Sequence, residues 1–320
     1  DLWRPRHLPT RGVRPVRVDP AGLTGPTRGQ ARGSRWRSIG RGWFVPSDVP
    51  ASVDQRILEA SVHLPDGGVV SGWAACRLHG GGFFDGLDRD GRTHLPVNLV
   101  VPVGCGTRQG PGLTVSRETL APREKDVVHG IACAAPGRAV LDAMRWAPDL
   151  RSAVVVADAA LAAGLVTRVD PGSGRAGVEQ VRRAARLSSE RTRSPAETRF
   201  RLIWTLDAGL PSPWVNCPVA DPSGKFVAEV DLLDPVLGLV GEYDGAHHRS
   251  AAQHTTDVRR EDALRNLGLE YVTATGRDLT QPHQLVTRIL AARDRASRVP
   301  ANRRTFLIKT AAEPARRQPD

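Results

Sequence analysis

Lysine is nearly absent from this chain of 320 residues. Only Lys125, Lys225 and Lys309 are lysines among 45 basic residues, so the positive charge is carried by arginine, which makes bidentate contacts to phosphate and to guanine edges. A shortage of lysine is also typical of GC-rich coding, but that bias does not account for a net charge of +11. The charge indicates a polyanionic partner, and residues 1–45 carry most of it, with ten Arg against two Asp.

Paired cysteines and long apolar runs are missing as well. The four cysteines lie far apart with no C-x-x-C pair, which predicts reduced, mostly buried thiols and argues against a zinc site. No apolar run approaches 18 residues and no charged-then-apolar leader opens the chain, so we expect a soluble protein of the cytoplasm. The sequence begins at Asp1 rather than at Met, and we expect that some N-terminal residues precede it.

The first 50 residues form a basic segment with the pattern of a winged helix. Residues 22–32 predict a short helix, although three glycines weaken it. Residues 35–39 and 41–45 then predict a β-hairpin across Gly40. The alternative is an Arg-rich tail followed by an edge hairpin. In the winged-helix interpretation, the arginines expected to bind nucleic acid are Arg28, Arg32, Arg35, Arg37 and Arg41.

The length of the chain allows two or three domains. Residues 51–170 predict a small α+β domain without a catalytic constellation, and residues 171–193 predict a basic, partly helical connection. Residues 297–320, with six basic residues and three prolines, predict a disordered tail. In the α+β domain we expect helices over residues 51–64, 73–78, 136–146 and 150–163, and strands over 69–70, 96–102 and 127–132.

The last third of the chain predicts an alternating set of helices and strands. Ser194 and Pro195 are typical of a helix start, and they precede an apolar-periodic stretch over residues 196–207. The stretches that follow predict strands over residues 214–219, 226–233, 236–243 and 270–275, and helices over 256–267 and 282–295. The predicted order is therefore α-β-β-β-α-β-α.

Four carboxylates lie in the hairpin predicted near residue 236. If the chain reverses between Val236 and Leu237, Asp231 faces Glu242 and Glu229 faces Asp244. Opposed side chains of like charge lie about 4.5–5.5 Å apart and destabilise a sheet, whereas a hard divalent cation such as Mg²⁺ is held by carboxylate oxygens. One interpretation is a metal-dependent nuclease centre. The other is a solvated hairpin edge.

The predicted element order is that of the restriction-endonuclease-like (PD-(D/E)XK) nucleases, an α/β fold. In detail, residues 194–296 resemble the Vsr-like endonuclease domains, which take their name from the very-short-patch repair enzyme. The matching motifs are Ser194-Pro-Ala-Glu197, Asn216 and Val219, Val230-Asp231, Glu242-x-Asp244-Gly245-x-x-His248, and Asp257, Arg260, Leu264 and Gly268 in one helix.

This resemblance implies roles for six of the matching residues. Asp231 and Glu242 would hold Mg²⁺ or Mn²⁺, with Glu197 bound directly or through water and Asp244 completing the shell. His248 would act as a base or as an acid toward the leaving group. Arg260 would clamp phosphate or neutralise the carboxylates. The pattern departs from the nuclease motif Glu-x-Lys at Asp244, which stands where the lysine is expected.

The N-terminal two-thirds resembles the AbiEi family of antitoxins and regulators, which begin with a winged helix. The similar stretches are residues 41–45, 70–75, 78–80 and 135–142. The combined expectation is a DNA-binding protein with a metal-dependent endonuclease domain, and a toxin is a further expected partner. The alternative is a non-enzymatic DNA-binding regulator whose C-terminal nuclease domain is degenerate.

Overall fold

A computed structural model of the chain describes residues 12–40, 42–172, 174–245 and 251–309, except for the side chains of 251–258. The chain divides into two compact units, the first ending at Ser188 and the second beginning at Ser189. The described residues form three sheets and nine α-helices, so the predicted mixture of α and β structure is confirmed. None of the described helices is long and apolar enough to cross a membrane.

The first unit opens with a three-stranded antiparallel sheet in the order β1-β3-β2. Its strands are β1 Val16–Arg17, β2 Trp36–Gly40 and β3 Trp43–Pro46. The predicted hairpin is thus confirmed. The helix predicted over residues 22–32 is wrong, because that stretch is a loop ending in a single 3₁₀ turn at Gln30–Arg32.

Two features explain why this loop is not helical. The Asp19 carboxylate accepts the backbone N–H groups of Ala21, Leu23 and Thr24, and such local side-chain contacts hold the backbone in a turn instead of a helix. At Gly25, a Cβ atom would lie 2.0 Å from the carbonyl oxygen of Arg17, so the loop passes against β1 where a side chain does not fit. The winged-helix assignment stays a prediction.

A second sheet of five strands, in the order β6-β5-β4-β8-β7, carries the rest of the first unit. Its strands are β4 Val69–Ser71, β5 Val97–Val101, β6 Leu113–Arg117, β7 Lys125–Val128 and β8 Ile131–Ala134. The helices are α1 Val53–Ser61, α2 Gly72–Leu78, α3 Pro136–Arg145, α4 Leu150–Ala162 and α5 Val178–Leu187.

The strand predicted over residues 127–132 is wrong in one respect, because the chain turns in its middle. His129 and Gly130 have φ of 52° and 75°, and strands β7 and β8 pair antiparallel on either side of them. Histidine is among the non-glycine residues that enter this left-handed region most readily. The connection predicted over residues 171–193 contains helix α5, which buries Val181 and Ala184.

The second unit is a five-stranded sheet in the order β12-β11-β10-β9-β13 with helices on both faces. Its strands are β9 Trp214–Ala220, β10 Phe226–Asp234, β11 Leu239–Asp244, β12 Glu270–Thr275 and β13 Leu307–Ile308. The helices are α6 Pro195–Leu202, α7 Ala251–Asn266, α8 Gly276–Thr280 and α9 Pro282–Arg298. Strands β11 and β12 are parallel, and the other neighbours are antiparallel.

Each face of this sheet has its own apolar core. On the α6 face, Phe200 and Trp204 of α6 and the π-helical turn after it pack with Leu285 and Ile289 of α9. On the α7 face, Leu264 packs over Val230, Val240 and other strand residues. The predicted order of elements is therefore found, with the short helix α8 and strand β13 added to it.

The tail predicted to be disordered is folded over residues 297–309. Strand β13 pairs with β9, and the Arg304 guanidinium donates to the carbonyl oxygens of Val236, Ala296 and Val299. The prediction was wrong here because composition does not reveal backbone partners elsewhere in the chain. Residues 310–320 lie outside the described part.

Gly241 provides a test of the packing on the α6 face. A Cβ atom at this position would lie 2.8 Å from the Phe200 ring and 3.2 Å from the Trp204 ring, both of which are fully buried. We expect Gly241→Ala to destabilise the second unit by about 1–3 kcal/mol through overpacking. Urea unfolding would measure it. Gly137→Ala is the control: this residue lies in helix α3 with open space around it and no positive φ, so alanine should leave stability unchanged or raise it slightly.

Candidate functional site

Glu197 is fixed at the start of helix α6 by a capping arrangement. Ser194 is the N-cap residue, and its hydroxyl accepts the Glu197 N–H at 3.2 Å while donating to Glu197 Oε1 at 2.9 Å. The backbone N–H of Arg193 donates to Glu197 Oε2 at 2.9 Å. The predicted helix start at Ser194 and Pro195 is thus confirmed, and the same contacts determine where the Glu197 carboxylate lies.

The register predicted for the β10–β11 hairpin is also confirmed. Leu232 pairs with Gly241, Leu233 with Val240 and Asp234 with Leu239. The described ladder ends at Leu232 and Gly241, and beyond it the Asp231 Oδ2 atom accepts the Tyr243 N–H at 2.7 Å. A side chain therefore takes the place of the next backbone partner. We call this point, where β10 and β11 part, the strand fork.

The charge opposition predicted at this hairpin is relieved in the structure by arginines. Glu229 forms a two-pronged ion pair with Arg193, in which the Arg193 Nη2 atom lies 3.1 Å from Glu229 Oε2. Glu242 accepts Arg260 Nη2 at 2.6 Å, and the same nitrogen donates to the Glu229 carbonyl oxygen. Arg260 thus spans β10 and β11 from helix α7. Glu261, the next residue in helix α7, pairs with Arg265 instead.

Asp231 is the carboxylate that these arginines compensate least. Burial and, less strongly, the neighbouring charges of Glu197 and Glu229 raise the pKa of Asp231 to about 6. The Tyr243 N–H and the Arg260 charge lower it without cancelling that effect. Because burial is the main cause, the charged form of Asp231 is unfavourable in the folded chain, and a bound cation would stabilise it.

Glu242 also shapes its surroundings. This residue is 8% exposed and projects toward the α7 face. Burial and the Glu242 charge together raise the pKa of Tyr271 on the neighbouring strand β12. Asp244, two residues further along β11, is half-buried. His248 lies outside the described residues.

The oxygen donors suit a hard divalent ion, but they are not gathered at ligand spacing. Asp231, Glu242 and Glu197 come from three different elements, and carboxylates are the ligands that Mg²⁺ and Mn²⁺ prefer. Within residues whose side chains are described, no group of three or more His, Cys, Asp or Glu is placed to hold a metal ion. The chemistry of the donor set fits the ion, whereas its spacing does not show a preformed site.

The family resemblance singled out Asn216 but gave it no role. This residue has φ of 47° inside strand β9, and its side-chain amide donates to Glu197 Oε2 at 3.0 Å and to the Arg191 carbonyl at 2.7 Å. The available signal was weak, since asparagine is enriched in left-handed conformations but gives no indication of this inside an apolar strand.

The predicted nucleic-acid contacts divide into three groups. Arg28, Arg32 and Arg35 are exposed around the three-stranded sheet. Arg37 is held by Glu59 of helix α1 in a two-pronged ion pair of 2.9 and 2.7 Å, so its first role is structural. Arg41 lies outside the described residues. An exposed arginine that the sequence did not single out, Arg17, stacks on the Trp43 ring at 4.6 Å.

The four cysteines agree with the prediction from spacing. All four are free, with Cys76, Cys133 and Cys217 buried and Cys105 half-buried. Burial raises the pKa of the Cys217 thiol to about 11, so this thiol is protonated at neutral pH and has little nucleophilic character.

Comparison with known proteins gave no match to a family model, no significant match to a curated protein and no significant match to a solved structure. The resemblance to Vsr-like endonucleases and to AbiEi proteins therefore depends on the residues quoted above.

Proposed function

We propose that this chain is a DNA-binding protein whose second unit hydrolyses phosphodiester bonds with the help of Mg²⁺ or Mn²⁺. The observation that carries the proposal is the strand fork, where Asp231 and Glu242 lie on diverging strands and burial raises the pKa of Asp231. The element order of the second unit supports a restriction-endonuclease-like fold. In this fold class the corresponding hairpin carries the catalytic carboxylates, as the resemblance implies.

The roles follow from the positions of the side chains. Asp231 and Glu242 would hold the ion, and Glu197 would approach from the start of helix α6. A divalent ion at such a site stabilises the charge that develops on phosphate and lowers the pKa of water. Arg193 pairs with Glu229 and Arg260 pairs with Glu242. A bound cation would therefore act mainly on the Asp231 carboxylate. His248 would accept the proton of the attacking water.

The exposed arginines of the first unit would supply affinity for the DNA backbone. Arg28, Arg32 and Arg35 are directed to solvent, and arginine contacts phosphate through two parallel hydrogen bonds. Such contacts do not depend on base sequence. The winged-helix and AbiEi-like interpretations, and a toxin as partner, belong to the same proposal.

A non-enzymatic regulator is the second candidate. The observation that favours it is the pair between Arg260 and Glu242, in which a protein cation already satisfies one of the two principal carboxylates at 2.6 Å. The aspartate at position 244, where nuclease motifs have lysine, points the same way. In a regulator, the fork would be a structural relic and the second unit would bind DNA without cutting it.

One experiment separates the two candidates. The full-length chain would be incubated with supercoiled plasmid in Mg²⁺, in Mn²⁺ and in EDTA, with Glu242→Gln as the matched variant. We expect nicked or linear plasmid from the wild type in either metal, and none from the variant or in EDTA. Retarded but uncut plasmid in every lane would favour the regulator.

A further inference from the structure

Strands β9 and β10 both change the direction of their side chains at the same rung. Val215 packs on the α6 face and Cys217 on the α7 face, although residues two apart on a regular strand share a face. Val230 and Leu232 of β10 behave in the same way. Because Cys217 pairs with Val230 and Val215 with Leu232, the rung between them holds Asn216 and Asp231.

The backbone of Asn216 explains the switch in β9. Its φ of 47° is the left-handed conformation, which rotates the strand about this residue and sends the preceding and following side chains to opposite faces. This conformation costs free energy in any residue other than glycine and persists where surrounding contacts determine it. Strained backbone positions cluster at functional sites, and Asn216 lies directly across from the candidate metal ligand Asp231.

The contacts of the Asn216 side chain show what holds it. It is 8% exposed, and its Nδ2 atom donates one hydrogen to the Arg191 carbonyl at 2.7 Å and one to Glu197 Oε2 at 3.0 Å. Both partners are acceptors, so the network itself decides which end of the amide carries the hydrogens. The two donors of one NH₂ group are both used, and one of them points to the Glu197 carboxylate.

We propose that Asn216 is a positioning residue, whose left-handed backbone and side-chain amide hold the Glu197 carboxylate next to the Asp231 rung. The inference rests on the proposed function, because it assigns Glu197 and Asp231 to one binding site. Asn216 touches neither substrate nor ion in this account. It acts through Glu197, in the way that the outer partners of metal ligands orient the ligands themselves.

Two replacements separate the amide from the backbone. Asn216→Gly keeps access to positive φ and removes the amide. Asn216→Asp keeps the size of the side chain and replaces the donor by a carboxylate that repels Glu197. We expect Mn²⁺ affinity, measured by calorimetry on the full-length chain, to fall about 10–100-fold in Asn216→Gly. The fall should be larger in Asn216→Asp.

His129→Gly is the matched control. His129 is the other described non-glycine residue with positive φ, at 52°, and it lies in the β7–β8 turn of the first unit. Replacing it by glycine relieves the same kind of backbone conformation away from the carboxylates, so Mn²⁺ affinity should not change. Mn²⁺ binding by Asn216→Gly that equals the wild type would overturn the proposal.

A stability cycle keeps the test independent of metal binding. The melting temperatures of the wild type, Asn216→Gly, Glu197→Gln and the double variant would be compared in EDTA. If Asn216 holds Glu197, the double variant should be destabilised by less than the sum of the two single effects. A wild type that binds no Mn²⁺ but shows this coupling would reject the metal site and keep the positioning role. Additive effects would reject the positioning role.

Discussion

Asp231→Asn is expected to abolish plasmid cleavage in Mg²⁺ and Mn²⁺, and at the same time to make the metal-free protein more stable at neutral pH. Removal of a ligand carboxylate takes away both an oxygen charge and the ion that depends on it. The stabilisation has a separate origin. Asp231 has its pKa raised to about 6 by burial and by the charges of Glu197 and Glu229, so the ionised form is unfavourable in the folded state.

The pH dependence of this stabilisation has a defined sign. In the unfolded chain the pKa of Asp231 lies near its ordinary value of 3.8, and in the folded chain it lies at about 6. Between these values the folded state binds more protons than the unfolded state, so the stability of the wild type falls as the pH rises. Asparagine carries no charge at any pH. The advantage of the variant should therefore be small below pH 4, grow up to pH 6, and stay constant above.

Melting curves in EDTA between pH 4 and pH 8 measure this effect. We expect a gain of several degrees above pH 6, since about 1 kcal/mol shifts the melting temperature of a small domain by roughly 4–8 °C. Asp221→Asn is the matched control, because hydrogen bonds from Ser223 and neighbouring backbone groups lower the pKa of Asp221. Its replacement should lower stability at neutral pH. A variant at position 231 that is less stable than the wild type at pH 8 would contradict the view that ionised Asp231 destabilises the folded state.

The β10–β11 hairpin shows how far sequence alone reaches. The reversal near Val236 predicted pairs that the structure contains, such as Leu232 with Gly241. Turn chemistry decides the register, because the Asp234 carboxylate accepts the N–H groups of Val236 and Leu237 and fixes the loop. A contact of this kind joins residues two or three positions apart, and for that reason it can be predicted from the sequence.

The contacts at the strand fork could not be predicted from the sequence. The prediction that Asp231 faces Glu242 assumed that backbone pairing continues along both strands. In the structure, Asp231 instead accepts the Tyr243 N–H, and the strands part. The compensation of Glu229 by Arg193 and of Glu242 by Arg260 joins residues 36 and 18 positions apart. The periodic pattern of apolar residues does not predict ion pairs between residues so far apart in the chain. The rule that side chains alternate between the two faces of a sheet also assumes an extended backbone throughout the strand. That rule fails at Asn216, where φ is 47°.

Packing accounts for some of the residues that carried the family resemblance. Leu264 is fully buried on the α7 face, and Gly268 has φ of +80° with the Arg303 carbonyl oxygen 2.3 Å from where a Cβ atom would lie. A fold alone requires both residues. Arg260 differs, because its guanidinium contacts a carboxylate at the fork rather than a core. The motif thus mixes residues that shape the helix with one that faces the candidate site.

The replacement of Arg28, Arg32 and Arg35 together by Gln is expected to weaken binding to duplex DNA by about 10²–10³-fold at 0.1 M salt. All three side chains are exposed near the three-stranded sheet. Removing one arginine–phosphate pair should reduce the slope of log K against log salt by about 0.9. Removing three pairs should therefore reduce it by about 2.7, and the affinities of variant and wild type should converge near 1 M salt. Fluorescence anisotropy of a labelled duplex over a salt series measures both quantities.

A matched control removes the same charge from elsewhere in the first unit. Arg108, Arg123 and Arg168 are also exposed, and their joint replacement by Gln lowers the net charge equally without touching the three-stranded sheet. If the arginines act by location, the control should keep the slope of the wild type. An equal fall in affinity in both variants would show that affinity follows net charge alone.

Arg37→Gln should behave differently from both triple variants, because the ion pair of Arg37 with Glu59 links the sheet to helix α1. Its effect should appear in the melting temperature before it appears in the salt slope.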